Sequence, residues 1–107
     1  MSGSDPTPAI VDVPELSRFE VRVGGEAAGF AAYSRRPPLI TFTHTEVDPR
    51  FEGKGLGARL VSAALDAARA EGLSVIPLCP FVREYISRHP QYLDLVPSDR
   101  QATYGLC

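Results

Sequence analysis

In the first half of the chain, apolar and charged residues alternate with a period of two in one segment, and two further segments have the composition of strands. Residues 19–23 follow this pattern, Gly24-Gly25 is a turn signal, and residues 27–33 have the composition of a returning strand. Residues 39–47 are dense in β-branched and aromatic side chains, which favour extended backbone. The pattern therefore predicts a β-hairpin followed by a third strand.

Beyond residue 55 the period becomes that of an α-helix, with charged residues on the opposite side. The apolar positions at helical spacing are Leu56, Leu60, Val61, Ala64, Leu65 and Ala68. Gly72 suits the left-handed residue that ends such a helix, and residues 73–78 then form a short apolar strand. A strand, a helix and a strand in this order predict two parallel strands joined by a helical crossover.

Prolines bound a second, shorter helix. Pro80 is placed to begin it and Pro90 to stop it, and apolar residues at positions 81, 82, 85 and 86 form one face. The tail that follows mixes apolar residues with Pro97 and polar residues, and it suggests only a short strand near residues 92–96.

The first 14 residues are rich in Ser, Gly, Asp and Pro, a composition typical of a loose lead-in. We expect the fold to begin near Glu15, and residues 15–107 to form a single domain, because 107 residues leave room for one core. Together the elements indicate an α+β fold with a mixed sheet and two principal helices.

Composition limits the ligands. A net charge of −2 gives no electrostatic footprint for nucleic acid. No apolar stretch approaches the ~20 residues that span a bilayer, and the N-terminus lacks a signal-peptide pattern, so we expect no membrane partner and a cytoplasmic location. The two cysteines lack the paired spacing of a zinc site, which favours reduced thiols and no bound metal.

Three alternate glycines, Gly53, Gly55 and Gly57, join the third predicted strand to the first predicted helix. Glycine allows positive φ and a close approach of the backbone, and the unpaired NH groups at a helix N-terminus favour phosphate. A P-loop is disfavoured because Lys54 is followed by glycine rather than by a hydroxyl residue, and the spacing G-x-G-x-G departs from the dinucleotide fingerprint.

The pattern Arg50-x-x-Gly53-x-Gly55, between a strand and an amphipathic helix, resembles the acetyl-coenzyme A signature of the GNAT superfamily of N-acetyltransferases. The segment at residues 44–47, the run at residues 75–82 and His89-Pro90-x-Tyr92 are similar to its minimal, Yjdj-type branch. The resemblance covers roughly residues 17–97.

This resemblance implies a GNAT-like fold that binds acetyl-coenzyme A as co-substrate. Backbone NH groups of the turn would cradle the pyrophosphate, and the strand before the turn would separate from its parallel neighbour and bond the pantetheine amides. The coenzyme-binding residues that it implies are Glu46, Val47, Arg50, Phe51, Glu52, Gly53, Lys54, Gly55, Leu56, Gly57, Ala58 and Cys79.

Four residues are candidates for the chemistry. A period of two places His44 and Glu46 on the same face as Ile40 and Phe42, close enough to act together as a base; the alternatives are a packed strand histidine and a rim carboxylate. The resemblance places a tyrosine that protonates the thiolate at Tyr85, where core packing is the other interpretation. Cys79 follows the second parallel strand, near the expected thioester, and is an acyl carrier, a redox site or a small core residue.

The resemblance thus implies direct transfer of an acetyl group to a primary amine, such as a lysine side chain or a small amine. The chain has little room for the first strand and paired helices that usually form the substrate cleft. The protein is therefore either a monomer with an open acceptor site or a homodimer in which a second subunit completes that site. The alternative is a coenzyme A or acyl-coenzyme A binding module without transferase activity.

Overall fold

The computed structural model describes residues 7–106, which form a five-stranded sheet and three α-helices. The strands are β1 (Ala9–Val13), β2 (Arg18–Val23), β3 (Glu26–Arg36), β4 (Leu39–Val47) and β5 (Ser74–Pro77). The helices are α1 (Leu56–Ala70), α2 (Pro80–Arg88) and α3 (Ser98–Gln101). Short 3₁₀ turns lie at Pro14–Leu16, Pro49–Phe51, Pro90–Leu95 and Ala102–Tyr104.

The sheet has the order β1-β2-β3-β4-β5, antiparallel throughout except for the parallel pair of β4 and β5. This arrangement confirms the predicted hairpin, the helical crossover and the mixed α+β class. Gly72 has φ of 71°, and the NH group of Leu73 donates to the carbonyl of Ala68 at 2.9 Å, so α1 ends as its glycine predicts.

The expectation that residues up to 14 form a loose lead-in is wrong for Ala9–Val13, which pairs with β2 along its whole length. Side chains also hold this strand: the Tyr33 hydroxyl donates to Asp12 Oδ1 at 2.6 Å, and Arg35 donates to Asp12 Oδ2 at 3.0 Å. Burial and the neighbouring carboxylate raise the pKa of Tyr33 to about 12. The part of the lead-in at residues 1–6, like Cys107, lies outside the described residues.

The short strand expected near residues 92–96 is also wrong. Pro90–Leu95 forms a 3₁₀ turn that packs against α1, where the Tyr92 hydroxyl donates to Asp66 Oδ1 at 2.8 Å and Arg69 pairs with Asp94 at 2.8 Å. These contacts hold the segment against α1 rather than in the sheet.

The long helices pack on one face of the sheet. Their buried apolar residues join Phe19, Val21 and Phe42 in a single core cluster. The other face, called the open face here, is formed by cross-strand neighbours on β2, β3 and β4. It carries Arg18, Glu20, Phe30, Ala32, His44 and Glu46.

Candidate active site

A β-bulge in β4 decides which face its functional side chains occupy. Ala32 pairs with His44, but Tyr33 pairs with Phe42, so Thr43 is an extra residue in β4. The extra residue shifts the alternation, and His44 therefore lies on the open face whereas Phe42 lies in the core. The prediction that Ile40 and Phe42 share a face with His44 is wrong, because it assumed a regular strand.

The same bulge keeps His44 and Glu46 together. His44 Nε2 and Glu46 Oε2 are 2.7 Å apart, and the two side chains are 58% and 62% exposed. The Phe30 ring flanks this pair, with its centre 6.0 Å from that of His44. The pairing expected from the sequence is thus present, in a position open to solvent.

Thr45 points to the other side of β4, toward the helices. Its hydroxyl accepts a hydrogen bond from Cys79 Sγ at 3.3 Å, and Cys79 is only 2% exposed. Because the cysteine donates, Thr45 keeps its own hydroxyl proton free for another acceptor.

β4 and β5 separate beside this contact. Their paired residues end at Phe42 and Pro77, and the last backbone hydrogen bond between the two segments joins the NH group of Cys79 to the carbonyl of Phe42 at 2.9 Å. In the described part of the chain, the rest of β4 is paired only with β3. The parting of parallel strands expected before the glycine turn is therefore present, and it leaves an edge of β4 able to accept an added strand.

The glycine turn begins where β4 ends. Gly53 and Gly55 have φ of 83° and 72°, a conformation that favours glycine, and Gly55 is the N-cap of α1. Gly57 is different: it lies inside α1, so the expectation of positive φ there is wrong. Its small size is needed because a Cβ at residue 57 would lie 2.7 Å from Cζ of Phe81.

A cavity of about 580 Å³ lies between this turn, β4 and α2. Nine of the twelve coenzyme-binding residues implied by the sequence line it, and Arg50, Lys54 and Cys79 do not. Thr45 and Phe81 also line it and were missed. For Thr45 the sequence signal was a hydroxyl residue between the two catalytic candidates. For Phe81 only the structure provides a signal, because it leaves this large apolar side chain 44% exposed.

Arg50 is held beside the cavity by two carboxylates. It pairs with Glu26 and, at 3.1 Å, with Asp48, whose carboxylate also accepts the backbone NH group of Arg50 at 2.9 Å. These hydrogen bonds keep the pKa of Asp48 below its usual range. Arg50 therefore ties the turn to the start of β3.

Tyr85 lies in a different environment from the His44 pair. Its ring stacks on His89, with centres 3.9 Å apart and planes 15° apart, and its centre is 5.9 Å from that of Tyr92. Neither Tyr85 nor Cys79 lines the cavity. Of the four catalytic candidates, the fold brings His44 and Glu46 together and places Cys79 behind Thr45. It leaves Tyr85 on α2 beside His89 and Tyr92, which follow that helix.

Among residues 7–106, no three His, Cys, Asp or Glu side chains form a cluster able to hold a metal ion. No helix within that range has the length and apolar character needed to cross a membrane.

Known proteins resemble this chain in sequence and in fold. It is 38% identical over 76 residues to N-alpha-acetyltransferase RimI of Mycobacterium tuberculosis, an alignment covering 63% of this chain and 48% of that one. It is 33% identical over 58 residues to the human protein NATD1, covering 52% of this chain and 51% of that protein. The chain therefore spans about half the length of the curated relatives it matches.

A solution structure of a GCN5-like protein from Staphylococcus aureus has the same fold, with a TM-score of 0.64 and 23% sequence identity over 83% of this chain and 87% of that one. The family model described as GCN5-related N-acetyl-transferase matches residues 18–95, from the first residue of β2 to the 3₁₀ turn after α2. The chain belongs to the family of GCN5-related N-acetyltransferases.

Proposed function

We propose that this protein is an acetyl-coenzyme A dependent N-acetyltransferase that transfers the acetyl group directly to a primary amine. The observation that carries the proposal is the cavity of about 580 Å³, where the unpaired edge of β4, the glycine turn and the N-terminus of α1 meet. These three features offer backbone hydrogen-bond donors and acceptors to one elongated anionic ligand.

The pyrophosphate of the coenzyme would lie on the glycine turn. The NH groups of Phe51 and Glu52 already donate to the carbonyls of Asp48 and Pro49, at 2.8 and 3.3 Å. Backbone NH groups of residues 53–58 therefore supply the hydrogen bonds, and the positive end of the α1 dipole adds to the attraction. Lys54 is exposed in this turn and supplies charge. Arg50 contributes less to binding, because Asp48 and Glu26 already hold its guanidinium group.

The pantetheine arm would lie along the free edge of β4. The backbone carbonyl of Glu46 faces β3, where a Cβ on Gly29 would lie 2.7 Å from it. Consecutive strand residues direct their backbone groups to opposite edges, so those of Val47 face the free edge and would hydrogen-bond the amides as an added strand does. Phe81 forms the apolar wall opposite, over the first turn of α1, so its exposed ring would be covered by the ligand. Acetyl-coenzyme A, when bound, supplies the acetyl group as a reactive thioester.

The residues around the cavity have the roles that amine acetylation requires. The His44–Glu46 pair takes a proton from the acceptor ammonium, and the neutral nitrogen attacks the acetyl carbonyl carbon. The carbon–nitrogen bond forms as the carbon–sulfur bond breaks. The leaving sulfur takes the second proton of the amine, so each turnover releases one proton to solvent.

Thr45 is positioned to stabilise the negative charge that develops in this reaction. Thr45 lines the cavity, and its hydroxyl is free to donate because Cys79 donates to it. We assign Cys79 the role of orienting Thr45 rather than of carrying the acyl group, since its sulfur is buried. Tyr85 stays a candidate proton donor to sulfur, although its stacking on His89 favours a packing role.

Two finer assignments belong to the same proposal. The segments Cys79-Pro80-Phe81 and His89-Pro90-x-Tyr92 favour the minimal, Yjdj-type branch of the superfamily. The buried thiol of Cys79 is in keeping with the reducing cytoplasm as the location.

The test is release of free thiol from acetyl-coenzyme A with a panel of primary amines. We expect turnover by the wild-type protein and a loss of about 100-fold or more in kcat for Glu46→Gln, with coenzyme A affinity retained in calorimetry. Glu84→Gln is the matched control, because Glu84 is an exposed acid on α2 whose pairing partner is Arg88. Coenzyme A binding without turnover by any amine would refute the transferase and favour a binding module.

A further inference from the structure

A second cavity, of about 340 Å³, lies on the open face of the sheet. Its walls come from three strands: Arg18 on β2, Phe30 and the small residues at 27–29 on β3, and Glu46 on β4, with Asp48 beyond it. Among residues 7–106, Glu46 alone lines both this cavity and the larger one. The two cavities therefore meet at the carboxylate that pairs with His44.

The two sides of this cavity carry opposite charge. On the β2 side, Glu20 is shared by Arg18 and Arg22, at 2.6 and 2.9 Å, so one carboxylate faces two guanidinium groups and one positive charge is left over. On the β4 side, Arg50 is shared by Glu26 and Asp48, which leaves one negative charge in addition to that of Glu46.

An apolar surface separates the two charged sides. Phe30 lies between them on β3, with the Arg18 guanidinium 4.8 Å from the centre of its ring. Neighbouring strands lie about 4.8 Å apart, so the distance from β2 to β4 is about 10 Å. An amine with five methylene groups and a terminal carboxylate spans roughly 8 Å from nitrogen to oxygen when extended. Hydrogen bonds of about 2.8 Å at its two ends cover the remaining distance, so the ends would meet opposite charges.

We infer that this second cavity binds the acceptor, a primary amine on an unbranched aliphatic stem whose far end is anionic or uncharged. The ammonium group lies at Glu46, the stem crosses Phe30, and the far end lies near Arg18. A diamine is disfavoured, because its second ammonium group would face the surplus positive charge on β2. The inference rests on the proposed transferase function and adds an acceptor class to it.

Three amines with the same five-carbon stem test the charge preference: ε-aminocaproate, pentylamine and cadaverine. We expect kcat/KM to fall in that order, by about fivefold between the first and the last. Arg18→Gln should remove most of that difference, while Arg22 still pairs with Glu20. A wild-type preference for cadaverine would overturn the inference.

A pair of alanine substitutions tests the location. Ala27 is exposed and lines only the second cavity, whereas Ala58 is exposed and lines only the first. Ala27→Leu should raise KM for ε-aminocaproate about tenfold or more and leave the Kd of coenzyme A unchanged. Ala58→Leu should show the reverse pattern. An unchanged amine KM in Ala27→Leu would place the acceptor elsewhere.

Calorimetry with ε-aminocaproate in the presence of coenzyme A separates this inference from the transferase proposal. If the wild-type protein binds ε-aminocaproate but does not acetylate it, and Ala27→Leu weakens the binding, the cavity assignment stands and the transferase proposal is refuted. If the wild-type protein acetylates ε-aminocaproate and Ala27→Leu does so equally well, the transferase proposal stands and the cavity assignment is refuted. Absence of both binding and acetylation in the wild-type protein would overturn both.

Discussion

Gly55 is the residue at which a substitution tests the phosphate site most directly. It is the N-cap of α1, with φ of 72°, and a Cβ added there would meet no atom within 4 Å. Any larger side chain therefore fits in space but strains the backbone, at a cost of about 1–2 kcal/mol. Gly55→Glu and Gly55→Gln share this strain and differ only in charge.

The charge difference sets the expected loss of affinity. A carboxylate about 4 Å from a phosphate oxygen interacts with about 1 kcal/mol per unit charge in bulk water, and about 4 kcal/mol at the effective dielectric of a protein surface. Gly55 is exposed, so the lower part of this range applies. We expect Gly55→Glu to bind coenzyme A about 5- to 100-fold more weakly than Gly55→Gln.

Isothermal titration calorimetry of both variants, at low and high salt, measures this difference. High salt should reduce it, because the Debye length is only about 10 Å at 0.1 M. Both melting temperatures should fall by a similar amount, about 4–8 °C per kcal/mol of strain. Equal affinities in the two variants would show that no phosphate lies at the turn, and an affinity of Gly55→Glu equal to that of wild type would refute the coenzyme site.

Two further substitutions address the chemistry and the sheet. Thr45→Val should lower kcat about 10- to 100-fold with coenzyme A affinity retained. Thr45→Ser, whose hydroxyl still accepts from Cys79, should keep most of the activity. An unchanged kcat in Thr45→Val would exclude the hydroxyl from the reaction. Glu20→Gln should cost about 1–2 kcal/mol in urea unfolding at neutral pH. The hydrogen bonds from Arg18 and Arg22 lower the pKa of Glu20, so its contribution is present above the ordinary carboxyl pKa and is lost as pH falls through the lower folded value. A stability difference between Glu20→Gln and wild type that persists in acid would contradict this account.

Elements with a strong repeating pattern were predictable from the sequence. The bounds of β4, and the start and end of α1, follow from side-chain period and from the glycines at residues 55 and 72. The strand β1 was not predictable, because five residues among prolines carry too little pattern. Its stability comes from pairing with β2 and from Asp12, which bonds Tyr33 more than twenty positions away.

The candidate site also has some features that the sequence predicts and others that depend on tertiary contacts. The sequence determined that a glycine turn joins a strand to a helix N-terminus, since turn geometry and helix dipole are local properties of the chain. Only the tertiary structure decided that His44 and Glu46 face away from the core, because a bulge exists only in the register between two strands. Only tertiary packing placed Cys79 against Thr45 and Phe81 over Gly57, because those contacts join segments that the sequence keeps far apart.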